Sequence, residues 1–234
     1  MEKVKLFCLP CAGGSAIMYS KWNRYFCDSI EVIPIELPGR GSRVTEDFCD
    51  SFDSLIEDIF MSVKRQISNS KYALLGFSMG GLLAYEVYHR LINSGEHEPI
   101  HLFIISREAP KSNTIKISHF NDRDFINEVY SYGGIADEIY QNKELIEFLT
   151  PRIRADFEIY EKYECDIPKP VNTDLSVLYS SEDPSIFKEG ILDWKHCTTM
   201  GCAFHQLNGG HFFITQQEKY VISIIQATLK QRIN

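Results

Sequence analysis

The chain has 234 residues, a formal net charge of −8, 44% hydrophobic and 24% charged residues. That length and composition suit one folded α/β domain with a large buried core and exclude a mainly disordered chain. The acidic balance excludes nucleic acid as a partner, because binding phosphates needs a basic face.

The amino terminus, Met1-Glu2-Lys3-Val4-Lys5-Leu6-Phe7, runs directly into a strand expected over 4–9, with no signal-peptide hydrophobic region. No later apolar stretch is long enough to cross a bilayer, so a cytoplasmic address without a membrane partner is expected. The loop after this strand reads Leu9-Pro10-Cys11-Ala12-Gly13-Gly14-Ser15. Cys8 and Cys11 have the spacing of half a zinc site, but the other five of the seven cysteines offer no second such pair. Reduced, mostly buried thiols and no metal are expected. Next come a helix over 17–27, a strand over 31–35 and a helix over 51–67 that Asp50 or Ser51 can cap. A strand over 72–77, a helix over 79–93 and a strand over 101–106 follow.

From about 108 to 170 the alternation stops and only helices are expected. One begins at Asn121 or Asp122, carries Phe125, Ile126, Val129 and Tyr130, and ends at Gly133-Gly134. A second is marked by Leu145, Ile146, Phe148 and Leu149. Thr150-Pro151 has the pattern of an N-cap and first-turn proline for a third, with Ile153, Phe157, Tyr160 and Tyr163. Strands over 175–180 and 203–207 and a helix over 215–231 complete the chain. Short strands alternating with helices describe a mainly parallel sheet covered on both faces. The reading is a single α/β domain over 1–234, with a helical lid inserted at about 108–170.

Gly76-Phe77-Ser78-Met79-Gly80 lies between a strand and a helix, the setting of a G-x-S-x-G nucleophile elbow. A side chain at Gly76 or Gly80 would collide with the close-set backbone of such a turn. A serine hydroxyl needs a base, and the base an orienting acid. In α/β-hydrolases the chain order is Ser, Asp or Glu, then His. Asp183, with Glu182 as its competitor, follows the strand over 175–180; His211 follows Asn208-Gly209-Gly210 after the last strand. All three positions are at carboxyl ends of strands, where open α/β sheets keep their crevices. An oxyanion hole needs two backbone N–H groups, expected from Met79 and from Ala12 in the glycine-containing first loop. That loop has no G-x-G-x-x-G and no P-loop lysine, so a phosphate loop is not expected.

Together these residues resemble the type II thioesterases of nonribosomal peptide and polyketide synthesis along nearly the whole chain. The marks are Leu9-Pro10-Cys11-Ala12-Gly13-Gly14, Glu36-Leu37-Pro38-Gly39-Arg40-Gly41, Gly76-Phe77-Ser78-Met79-Gly80-Gly81 and Gly209-Gly210-His211-Phe212-Phe213. The resemblance implies an α/β-hydrolase with a helical lid that hydrolyses acyl thioesters on the phosphopantetheine arm of carrier domains. It implies Ser78 as nucleophile, His211 as base, Asp183 as orienter, and Ala12 and Met79 as oxyanion donors. It implies a carrier protein as partner, with the substrate carried on that partner's phosphopantetheine; no cofactor of the enzyme's own and a monomer are expected. Two positions depart from the family pattern: Cys11 replaces a usual aromatic, leaving a smaller and modifiable side chain, and Ser181 replaces a usual glycine. A basic rim of Arg40, Arg43, Arg107, Lys111 and Lys116 is a candidate docking surface for an acidic carrier. Two other readings remain: a small-ester hydrolase or lipase, which would turn over free esters far better, and a non-catalytic carrier-binding module, which would resist fluorophosphonate labelling.

Overall fold

A computed structural model describes residues 3–110 and 116–233. Six strands, β1 (Val4–Leu9), β2 (Ile30–Pro34), β3 (Tyr72–Phe77), β4 (His101–Ile105), β5 (Leu175–Ser180) and β6 (Cys202–Leu207), form one sheet. Their spatial order is β2-β1-β3-β4-β5-β6, and every neighbouring pair is parallel. The fold class is therefore α/β. The chain leaves β1 toward β2 on one side and returns to β3 on the other. The loops after β1 and β3 thus diverge at the carboxyl edge and open a crevice there.

Side chains alternate across the sheet. Phe7, Leu9, Leu74, Leu102 and Ile104 pack on one face against α1 (Phe52–Ile67) and α2 (Met79–Asn93). Leu6, Cys8, Leu75, Phe103 and Ile105 pack on the other, against Val221, Ile225 and Leu229 of α8 (Glu218–Ile233). Ser51 caps α1 in a reciprocal box: its hydroxyl accepts the Ser54 N–H at 3.1 Å, and the Ser54 hydroxyl accepts the Ser51 N–H at 3.2 Å.

The segment expected as one helix over 17–27 is instead two short 3-10 turns, Ala16–Tyr19 and Trp22–Arg24. Its side chains bind three different elements. The Tyr19 hydroxyl donates to the Leu9 carbonyl, Asn23 bonds both backbone groups of Val32, and the Trp22 indole donates to Glu218. The final helix also divides, into α7 (Phe213–Gln216) and α8, with a break at Gln217.

Between β4 and β5 lie α3 (Asp122–Ser131), α4 (Asp137–Tyr140) and α5 (Lys143–Tyr160). They share a separate small core of Ile117, Phe125, Ile126, Val129, Ile135 and Ile153. The expected helix start at Thr150-Pro151 is corrected: α5 runs unbroken through Pro151. Thr150 turns its hydroxyl back to the Ile146 carbonyl at 2.7 Å, and burial of Thr150, Ile153, Asp156 and Ile159 along one face holds the helix together across the proline. Two short elements, α6 (Lys188–Leu192) and a 3-10 turn over Asp193–His196, join β5 to β6. Among the described residues no helix is long and apolar enough to cross a membrane.

Candidate active site

β3 ends at Phe77 and α2 starts at Met79, so Ser78 alone makes the turn, with φ +55° and ψ −119°. A non-glycine residue in this region is strained and persists only where its surroundings hold it. Here a Cβ on Gly76 would overlap the backbone of Gly80 and Gly81, and one on Gly80 would sit 2.6 Å from the Pro10 carbonyl oxygen. The two glycines let the turn close on itself and on the first loop.

The structure brings Ser78, His211 and Asp183 into one chain of hydrogen bonds. Ser78 Oγ is 2.9 Å from His211 Nε2, and His211 Nδ1 is 2.6 Å from Asp183 Oδ2. Asp183 and His211 are buried. Burial pushes the Asp183 carboxyl up, but its bonds to His211 and Ser185 outweigh that and leave it below the ordinary value. Glu182, the competing acid, is exposed and turns only its backbone N–H inward, to Ser180 Oγ at 3.1 Å. Asp174 is engaged elsewhere, with Arg232 and the Gly201 N–H.

Three serines that sequence reasoning missed complete the arrangement. Ser185 donates its hydroxyl to Asp183 Oδ1 at 2.6 Å, and its oxygen lies 2.9 Å from His211 Nδ1, closing a ring of acid, serine and imidazole. Ser106 donates to the His211 carbonyl at 3.0 Å, and Ser180 to the Gly209 carbonyl, so two strand ends hold the histidine loop. The only sequence signal was position: Ser106 and Ser180 stand at the carboxyl ends of their strands, and Ser185 two residues past the acid.

Ala12 and Met79 line the same cavity as Ser78 and His211, and among the described residues neither backbone N–H has another acceptor. The cavity measures about 70 Å³. The helical insertion supplies part of its wall through Tyr132, Phe157 and Tyr160. Phe125 is instead wholly inside the core of the insertion, and Phe148 is exposed beneath the Arg152 guanidinium. The expected basic rim is corrected in two places. Arg40 and Arg107 are buried, the first against Asp156 and the second over the Tyr160 ring. Arg43 is half-buried and forks onto Asp58 and Glu46, Lys116 is exposed, and Lys111 lies outside the described residues. Cys11 is also buried, does not line the cavity, and has its thiol pushed up to about 12, chiefly by burial. All seven cysteines are free, and no metal-holding cluster of His, Cys, Asp and Glu occurs among the described residues.

The model of the thioesterase domain matches residues 4–229. The chain belongs to the thioesterase family. Among solved structures it is similar to ClbQ from the colibactin NRPS/PKS pathway, with 27% identity, 98% of each chain covered and a TM-score of 0.93. It is similar too to YbtT, a type II thioesterase from the yersiniabactin NRPS/PKS pathway, with 26% identity, 100% and 95% coverage and a TM-score of 0.89. Linear gramicidin dehydrogenase LgrE of Brevibacillus parabrevis is 30% identical over 97% of this chain and 88% of that protein. The parallel sheet flanked by helices is accordingly the α/β-hydrolase fold of this thioesterase, and its chemistry is thioester hydrolysis.

Proposed function

We propose that the protein is a stand-alone thioesterase that clears acyl groups from the phosphopantetheine arm of carrier proteins in nonribosomal peptide or polyketide synthesis. The observation that carries the reading is His211 bridging Ser78 and Asp183 in one cavity with two backbone N–H groups that have no acceptor among the described residues. In this reading Ser78 attacks the thioester carbonyl while His211 Nε2 takes its proton. Asp183 holds the imidazole by Nδ1–H and stabilises the imidazolium that forms. The N–H groups of Ala12 and Met79 receive the oxyanion, each contributing about 3–4 kcal/mol by analogy with protease holes. The carbon–sulfur bond breaks, the thiol leaves with the proton from His211, and water repeats the cycle on the acyl-serine. A thiolate leaves readily, so the demand on the histidine as acid is modest.

The proposal extends to the helical insertion as a lid, to a monomer working in the cytoplasm, and to a site that needs no bound cofactor or metal. The test is a panel of acyl groups on one carrier protein, with wild type and Ser78→Ala. We expect acyl release by wild type and its loss, by at least about 1,000-fold, in a folded variant. Undiminished release by Ser78→Ala would falsify the reading. Free esters turned over far faster than carrier thioesters would move the substrate class to small esters.

A further inference from the structure

Asp156 lies on α5, inside the helical insertion, 143 residues from the loop it touches, and it is 2% exposed. Its Oδ2 accepts the Gly13 N–H at 2.7 Å. The same carboxylate takes both terminal nitrogens of Arg40, Nη2 to Oδ1 at 2.7 Å and Nη1 to Oδ2. Arg40 is also buried, and it donates further to the carbonyls of Gly14 at 3.3 Å and Pro38 at 3.2 Å. The loop after β1 is therefore gripped on both sides, Gly13 by its N–H and Gly14 by its carbonyl. Within that loop the Gly14 N–H returns to the Cys11 carbonyl at 2.9 Å, closing a turn in which Ala12 is the second residue.

The grip is tight because no side chain intervenes. Gly13 has φ +70°, and a Cβ there would sit 2.6 Å from Cγ1 of Ile153, three residues before Asp156 on α5. Farther along, Phe157 and Tyr160 line the cavity that holds Ser78. One stretch of α5 thus touches the first loop and walls the reaction chamber.

A buried ion pair alone is weak evidence of purpose, since an apolar pair of similar size often serves stability as well. The Gly13 N–H is what sets this pair apart, because an apolar pair leaves that donor without its acceptor. We infer that Asp156, clamped by Arg40, is a positioning residue that holds Gly13 and so aims the Ala12 N–H at the developing oxyanion, making the oxyanion hole complete only when α5 is seated. The inference rests on the proposed roles of Ser78 and Ala12. Closure of the chamber and assembly of the hole then become one event.

The decisive variant is Asp156→Leu with Arg40→Met, which removes both charges and the acceptor together. Turnover of a soluble acyl thioester is measured beside thermal unfolding and the affinity for a trifluoromethyl ketone, whose hemiketal oxyanion occupies the hole. We expect a folded protein with kcat down about 100-fold, KM within about threefold, and ketone affinity reduced in step with kcat. Wild-type kcat in that variant overturns the inference. If the double variant does not fold, Asp156→Glu decides. It keeps the charge pair but displaces the acceptor, so kcat and ketone affinity are expected to fall at least about tenfold together; wild-type values for both overturn the inference. Absence of turnover by wild type itself would count against the thioesterase reading and not against the loop clamp.

Discussion

At the scale of single residues, the site depends on neighbours that have no reactive role. Ser185 is the sharpest case, since it bonds the acid and touches the base's Nδ1 at once. Replacing it with alanine removes a charge-assisted bond while the Ser185 backbone N–H to Asp183 Oδ1 at 2.9 Å remains. Ser185→Ala is expected to lower kcat about tenfold, or about 1.4 kcal/mol, with KM unchanged. Steady-state kinetics at neutral pH decide this, and an unchanged kcat would remove Ser185 from the arrangement. Asp183 is held below its ordinary carboxyl value despite burial. Its ionised form therefore adds stability above about pH 4 that is lost as pH falls further. The departure at Cys11 also resolves at this scale: burial keeps the thiol protonated, it lies 3.9 Å from the Met18 sulfur, and it does not line the cavity of Ser78.

At the scale of elements, local signals and tertiary contacts compete. α1 follows its local signals: Ser51 and Ser54 satisfy two end donors, and the buried face recurs through Leu55, Ile56, Ile59, Phe60 and Val63. Ser51→Ala is expected to cost about 1 kcal/mol in denaturant unfolding without changing kcat, because no α1 residue lines the cavity. Pro151 shows the opposite outcome. Its sequence context is that of a helix start, yet α5 continues through it because one face of the helix is already committed to the insertion and the first loop. The 17–27 segment has helical spacing of Tyr19, Trp22 and Phe26, but bonds to β1, β2 and α8 divide it into two turns. Periodicity reported which residues are buried, and the contacts decided how the backbone reached them.

At the scale of the whole molecule, the two ends of the sheet differ in character. The carboxyl end holds the catalytic cavity, while His101 is sealed at the amino end of β4 with Nε2 2.9 Å from Ser176 Oγ. Burial, with Arg232 adding to it, pushes His101 down from 6.5 to about 4. The unfolded chain therefore binds a proton between these values that the folded chain refuses, and stability falls as pH falls through that range. The loss is expected to reach about 3 kcal/mol by pH 4. Urea unfolding of wild type and His101→Gln at pH 7.5 and 5 checks this; an equal slope in both would assign the pH dependence to other groups.

Much of the molecule was legible without coordinates. The alternation of apolar runs determined a parallel sheet, since a strand covered on both faces must be apolar throughout. Gly76, Ser78 and Gly80 determined the elbow, because only glycines admit so close a turn. The order of Ser78, Asp183 and His211 placed three reactive groups at strand ends. Tertiary structure alone decided what holds them. Ser185 and Asp183 meet His211 across 26 and 28 residues, and Asp156 meets Gly13 across 143. Hydrogen bonds depend on separation in space, and a single sequence records only separation along the chain. For the same reason Arg40 resembled a surface charge in sequence and became, in the fold, the buried partner of a carboxylate on the insertion.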